Sequence, residues 1–414
     1  MACHEMARRH FSWYNTIMFF NRYKLFRKEI PFVKHNGVFR QQISLFEAVA
    51  MIVSGTIGAG ILGLPYAIAK VGVPLGIVYI VFIGFLMMGL NLLMGSLAVR
   101  TNKKMQLIGF AGEYLGKGGK WFTTFLLYFM LWGVMMVYII GEGEVLAKLF
   151  GRSEFFWSTA FFVVVTLLIY IGISTVKVVE LFLSLGVLVV VLTLSVFSSA
   201  HVDARNWQYM NLADLFFPYG VLLFAYYGAA AVPEARSILL NRDRDFKKAI
   251  IIAGLIVMAV YLIFSIVVIG VTGLNTSEIA TFALGDKVGP KVFLLGNIFA
   301  ALAMGTSCLM SGLAMRDSMS WDFKISPGLS TFLVCSAPFL LFILGFRSFI
   351  QAINIVGGVF ISIEMFLILL IYWRAKQRED LPVGKYKLHH AALLVILLLI
   401  TLSVGAVYSV IKLF

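Results

Sequence analysis

Long apolar runs separated by short polar stretches dominate the chain. Eleven of them reach or approach the roughly 20 residues that a helix needs to cross a bilayer. They cover about 44–69, 73–99, 121–147, 155–173, 179–199, 214–238, 248–271, 290–315, 329–345, 349–372 and 390–412. Runs of this length predict helices, because a membrane strand needs only about 9–11 alternating residues. Residues 1–43 are basic and aromatic, with no short apolar core before a cleavage site, so they read as a tail rather than a signal peptide.

Two of the runs are interrupted. Residues 54–65 read Ser-Gly-Thr-Ile-Gly-Ala-Gly-Ile-Leu-Gly-Leu-Pro, placing Gly55, Gly58, Gly60 and Gly63 inside the first run. Each glycine costs a helix about 1 kcal/mol relative to alanine. In hydrocarbon, a peptide group freed from the helix needs another partner. Such a segment is expected to line a polar cavity, and glycine would let backbone approach a ligand. The same glycines also suit close helix packing. In the sixth run, small residues and Pro233 interrupt the stretch Phe224-Ala225-Tyr226-Tyr227-Gly228-Ala229-Ala230-Ala231-Val232-Pro233-Glu234. Breaks in runs one and six imply two halves of five helices. Five is odd, so the halves enter from opposite faces, and paired breaks point to a midplane binding site. The expected fold is an all-α integral membrane protein with eleven transmembrane helices. It has two inverted five-helix repeats, discontinuous helices one and six, and one extra C-terminal helix. The divisions are 1–43 (tail), 44–200 (first repeat), 213–373 (second repeat) and 388–414 (eleventh helix).

Composition agrees with a membrane class: 61% of residues are hydrophobic, 13% are charged and the mean hydropathy is +0.94. The net charge of +14 raises the question of a nucleic-acid partner, but its placement removes the need for one. With the N-terminus cytoplasmic, most Lys and Arg fall on the inner side. Lys70, Lys148, Arg152, Arg205, Lys287, Lys291, Arg347 and Lys412 are left outside, with the C-terminus. That is the positive-inside pattern of a cell-membrane protein. The basic tail either lies on the anionic inner leaflet or is solvated. Three cysteines, Cys3, Cys308 and Cys335, offer no disulfide framework. No metal cluster, phosphate-binding loop or hydrolase triad is readable. Neither an enzyme, nor a cofactor, nor an obligatory protein partner is expected.

The run Gly55-Thr56-Ile57-Gly58-Ala59-Gly60-Ile61-Leu62-Gly63-Leu64-Pro65 resembles the first-helix signature of the amino acid/auxin permease family. Val232-Pro233-Glu234 followed by Phe246-Lys247-Lys248-Ala249-Ile250 is similar to that family's sixth-helix end and seventh-helix start. The resemblance covers about 44–412 and implies an amino-acid transporter with a LeuT-type five-plus-five fold. It implies that backbone from Thr56 through Ile57, Gly58 and Ala59 to Gly60 holds the substrate carboxylate, consistent with anion binding at helix N-termini. Phe224, Ala225, Tyr226, Tyr227 and Gly228 would meet the ammonium and shape the side-chain pocket, and Tyr138 is a further candidate. A sodium site is implied by Ala303, Thr306 and Ser307, which would face the carbonyls of Ser54 and Ile57. Many sodium-coupled members carry Asn before the glycine motif and His before Pro-Glu. Here Ser54 and Val232 stand in those neighbourhoods, which leaves sodium and proton both open.

Four acidic residues are coupling or gating candidates. Glu364 lies inside run ten, where an ionisable group is functional by default. It either carries a proton or pairs with Lys or Arg near the inner end. Glu47 is assigned to an inner gate network or a helix N-terminus. Glu142 and its neighbour Glu144 are expected at solvated positions near the outer end of run three, and Glu234 is expected to bond freed backbone amides. Segment 273–289 is expected as an outer lid. The expected activity is inward movement of a neutral amino acid by alternating access, with sodium as coupling ion. The alternatives are a proton-coupled permease using Glu364 and a sensor that binds an amino acid without moving it.

Overall fold

The computed structural model describes residues 38–100, 105–172, 176–239, 242–379, 386, 388 and 391–411. The chain divides into two units, Met1–Phe46 and Glu47–Phe414. Of the first unit, only the start of a helix is described, so the tail expected over 1–43 lies mostly outside the described residues. That helix begins at Val38, earlier than the expected 44. Glu47–Phe414 is an all-helical bundle.

Among the described residues, seven helices are long and apolar enough to cross a membrane, and eight if one bent pair counts as a single span. The bent pair is α1 (Val38–Thr56) with α2 (Gly60–Val71). The seven lie in α3 (Val73–Arg100), α4 (Leu107–Phe150), α5 (Glu154–Ile171), α9 (Asp243–Thr272), α11 (Pro290–Asp322), the Phe349–Gln377 helix and α15 (Ala391–Ile411). The other expected spans coincide with α6 (Val176–Ser199), the pair α7 (Pro218–Ala225) and α8 (Ala231–Ile238), and α12 (Pro327–Ile343). A short helix α10 (Ala280–Val288) lies in the segment expected as a lid. The Phe349–Gln377 helix has three parts: α13 (Phe349–Ile355), a π-helical turn (Val356–Ile361) and α14 (Ser362–Gln377).

The first interruption occupies Ile57 to Ala59, and the axis turns by 60° across it. The Ile57 N–H still donates to the Val53 carbonyl at 2.8 Å. Beyond it, Leu62 donates to Ala59 at 3.0 Å, a tighter three-residue bond that restarts the coil. Among the described residues no backbone carbonyl accepts from the N–H groups of Gly58, Ala59 or Gly60. The second interruption covers Tyr226 to Ala230, upstream of Pro233. Pro233 therefore does not make the break. It sits in the first turn of α8, where the N–H it lacks would have had no helical acceptor.

The two interruptions run antiparallel and in contact. A methyl group added to Gly55 would sit 2.6 Å from Ala231 Cβ, and one added to Gly60 would sit 2.7 Å from Ala225 Cα. Between them, Gly228 abuts the Thr56 hydroxyl. The glycines thus serve close packing as well as the break. The π turn closes over the same place, because Gly357 admits the Gly220 carbonyl of α7.

Two further placements differ from the sequence expectation. Residues 107–120, which fall between the second and third expected runs, belong to α4, which is kinked where Gly116 takes φ 74°. Glu142 is 2% exposed rather than solvated, and Glu144 is half-buried. The reason is Gly305 on α11, whose missing side chain leaves room for the Glu142 carboxylate. The segment expected as a lid is anchored at Glu278. Its carboxylate accepts from the Ile350 N–H at 3.0 Å and from the Ser348 hydroxyl at 3.2 Å, at the start of α13.

Candidate functional site

Between the two breaks lies a cavity of about 180 Å³. Its walls are residues 54–60, Met130, Leu131, Val134 and Tyr138 of α4, Phe224 and Tyr227, Ser307, Met310 and Ser311 of α11, and Ile361 of the π turn. None of these side chains is charged. The free N–H groups of Gly58 to Gly60 stand at the N-terminus of α2, where the helix dipole favours an anion by about 0.3–1 kcal/mol. A negative group therefore finds backbone donors on one wall, and the rest of the hollow is uncharged, with the hydroxyl-bearing Ser54, Thr56, Tyr138, Tyr227, Ser307 and Ser311 among apolar side chains.

Of the residues expected to bind substrate, Thr56, Ile57, Gly58, Ala59, Gly60, Tyr138, Phe224 and Tyr227 line this cavity. Ala225, Tyr226 and Gly228 do not. The Ala225 carbonyl is taken by the Tyr261 hydroxyl at 2.6 Å. Tyr226 points away: its hydroxyl donates to the Ile80 carbonyl at 3.0 Å, and its ring stacks edge-on against Tyr261. Gly228 is spent on the contact with Thr56.

The expected sodium ligands divide in the same way. Ser54, Ile57 and Ser307 line the cavity, whereas Ala303 and Thr306 do not. The Thr306 hydroxyl donates back to the Leu302 carbonyl at 2.8 Å, as Ser and Thr commonly do in membrane helices. Ser307, one position further round, lines the hollow. Among the described residues no group of three or more His, Cys, Asp or Glu could hold a metal ion, so any cation here would rest on hydroxyl and carbonyl oxygens.

The acidic candidates lie outside the cavity wall. Glu364 is 2% exposed and accepts a hydrogen bond from the Tyr227 hydroxyl at 2.8 Å, with no basic partner among the described residues. Glu234 is exposed and accepts from the Gln106 side-chain amide at 3.3 Å. Glu47 is exposed on α1. Sequence reasoning missed Met130, Leu131, Val134, Met310, Ser311 and Ile361. The signal was available for some of them: Met130, Val134 and Tyr138 recur every four residues on one face of α4, and Ser307 and Ser311 do so on α11.

The broken-helix pair, the hollow between the breaks and the apolar spans define a multi-span membrane protein, and its family and relatives make it a transporter rather than an enzyme. Solved structures share this fold. MhsT in complex with L-phenylalanine superposes with a TM-score of 0.62 at 13% identity, covering 89% of this chain and 98% of that one. The Eremococcus coleocola manganese transporter does so with a TM-score of 0.59 at 14% identity, covering 91% and 89%. The chain belongs to the tryptophan/tyrosine permease family, whose model matches residues 41–409. This family is related to, but distinct from, the amino acid/auxin permeases that the first-helix motif resembles. Relatives include glutamine transporter 2 of Aliivibrio fischeri, 24% identical over 357 residues, covering 80% of this chain and 90% of its own length. The tyrosine-specific transport system 1 of Haemophilus influenzae is 25% identical over 377 residues, covering 84% and 92%.

Proposed function

We propose that this protein moves a neutral amino acid across the cell membrane by alternating access, driven by a cation gradient with sodium as the coupling ion. The observation that carries the reading is the hollow between the two breaks, with free backbone donors on one wall and no charged side chain on any. The substrate carboxylate would lie on the N–H groups of Gly58 to Gly60. Its ammonium would meet backbone carbonyls that the break leaves at the end of α1, since the Ala225 carbonyl at the end of α7 is taken by Tyr261. Its side chain would rest among Met130, Tyr138, Phe224, Tyr227 and Met310, a wall that suits an aromatic or long uncharged group. The relatives' names support amino acids of that kind, since they specify tyrosine and glutamine.

In this reading the chain has eleven spans in two inverted five-helix repeats plus a last helix, with a cytoplasmic N-terminus and an external C-terminus. Sodium would sit against Ser54, Ile57 and Ser307, where hard oxygen ligands add no charge to the membrane interior. Purified protein in liposomes tests this. An imposed sodium gradient is expected to drive accumulation of labelled neutral amino acids, and removing sodium is expected to stop it. Uptake that ignores sodium and follows an imposed proton gradient would reject the ion assignment while keeping the transport reading.

A further inference from the structure

Glu364 stands near the middle of the Phe349–Gln377 helix, directly after its π turn. Among the described residues one hydrogen bond reaches it. The Tyr227 hydroxyl donates to Oε1 at 2.8 Å, while Oε2 is buried with no hydrogen-bond partner. The helices packed against α14 bring Tyr79 and Arg100 on α3, Tyr138 and Glu142 on α4, and Tyr408 on α15. Tyr227, from the break between α7 and α8, is the titratable group in hydrogen-bond contact with the carboxyl. No lysine, arginine or histidine pairs with it among the described residues. An anion with one donor and no cation is among the costliest things to bury in a membrane interior. A neutral carboxyl is far cheaper to bury.

The neighbouring wall explains how the proton could come and go. Tyr227 and Ile361 both line the cavity, and the Tyr227 hydroxyl reaches the Glu364 carboxyl, so this side chain touches both the hollow and the acid. Ile361 ends the π turn three residues before Glu364, and π turns commonly mark functional sites. Tyr227 is thus both a wall of the hollow and the hydrogen-bond donor to Glu364.

We propose that Glu364 holds a proton in this conformation, and that Tyr227 is the plug whose displacement lets cavity water take that proton away. With the plug in place, the proton sits on Oε2, and Oε1 accepts from the tyrosine hydroxyl. With the plug withdrawn, water solvates the carboxylate and accepts the proton. The pair thereby ties protonation of α14 to the shape of the cavity wall. This deepens the proposed transport reading, but its test does not depend on transport.

The test is infrared spectroscopy of the full-length protein in lipid bilayers, followed from about pH 5 to about pH 10 around the carboxylic-acid C=O band. The wild type minus Glu364→Gln difference is expected to show one protonated carboxyl at neutral pH. Glu142→Gln, which removes the other deeply buried carboxyl, is expected to leave that band in place. Tyr227→Phe, which keeps the ring but loses the hydroxyl, should move the band to higher frequency and hold it to higher pH, because a donor to the carboxylate is gone. Tyr227→Ala, which removes the plug, should let cavity water take the proton and bleach the band at lower pH. A wild-type spectrum with no band lost in Glu364→Gln would overturn the proposal. So would a band that Tyr227→Phe leaves unmoved. If liposome uptake fails while the band behaves as described, the transport reading falls and this assignment stands.

Discussion

At Gly60 the two interrupted helices meet so closely that a single methyl group has nowhere to go. The nearest atom is the Ala225 backbone, which cannot rotate aside as a side chain could. Gly60→Ala should therefore cost about 1–3 kcal/mol through forced backbone shifts, read as a lower melting temperature and a large loss of uptake. Gly118→Ala is the matched control, because nothing lies within 4 Å of the added methyl. It should be neutral or stabilising by up to about 1 kcal/mol. The tyrosine pair makes a second contrast. Tyr226→Phe removes a buried hydrogen bond to the Ile80 carbonyl and should cost about 1 kcal/mol while leaving substrate affinity unchanged, because that hydroxyl points away from the cavity. For the ion, Ser307→Ala should weaken sodium dependence of uptake more than Thr306→Ala, since only Ser307 lines the hollow. Equal effects of the two would remove Ser307 from the site.

At the scale of elements, the interruption at 57–59 was readable because glycines crowd a run that otherwise wants to be helix. The interruption at 226–230 was readable only approximately. Pro233 drew attention to the right run, but it lies inside the restarted helix, and the break belongs to the small residues before it. What the sequence hid depends on packing between distant elements. Glu142 looks like a helix-end carboxylate in a one-dimensional reading, and only the gap left by Gly305 on α11 shows why it is buried. The choice between Tyr226 and Tyr227 was likewise beyond a sequence, since adjacent helix-end residues point in different directions and either could face the cavity. Glu278 is the clearest case of a residue with no local signal. Its two acceptor bonds satisfy donors at the start of α13, as a capping residue from another segment would. Glu278→Ala should cost about 1 kcal/mol and speed hydrogen exchange at Ile350. Unchanged exchange there would mean that the lid segment is not held by this contact.

Across the whole molecule, class and membrane character were legible from composition alone, since 61% hydrophobic residues in long runs leave few other folds. The family was harder to place, because related permeases share the glycine motif of the first helix. Two interrupted helices cross antiparallel around a hollow, which in the proposed function holds the backbone of an amino acid. The most direct check is gradient-driven uptake into liposomes, with purified wild-type protein compared against Gly60→Ala. The wild type is expected to show concentrative, saturable accumulation of a neutral amino acid, lost in the variant while the protein remains folded. Binding of the same amino acid with no accumulation under either a sodium or a proton gradient would contradict it, and would leave a receptor built on a transporter's frame.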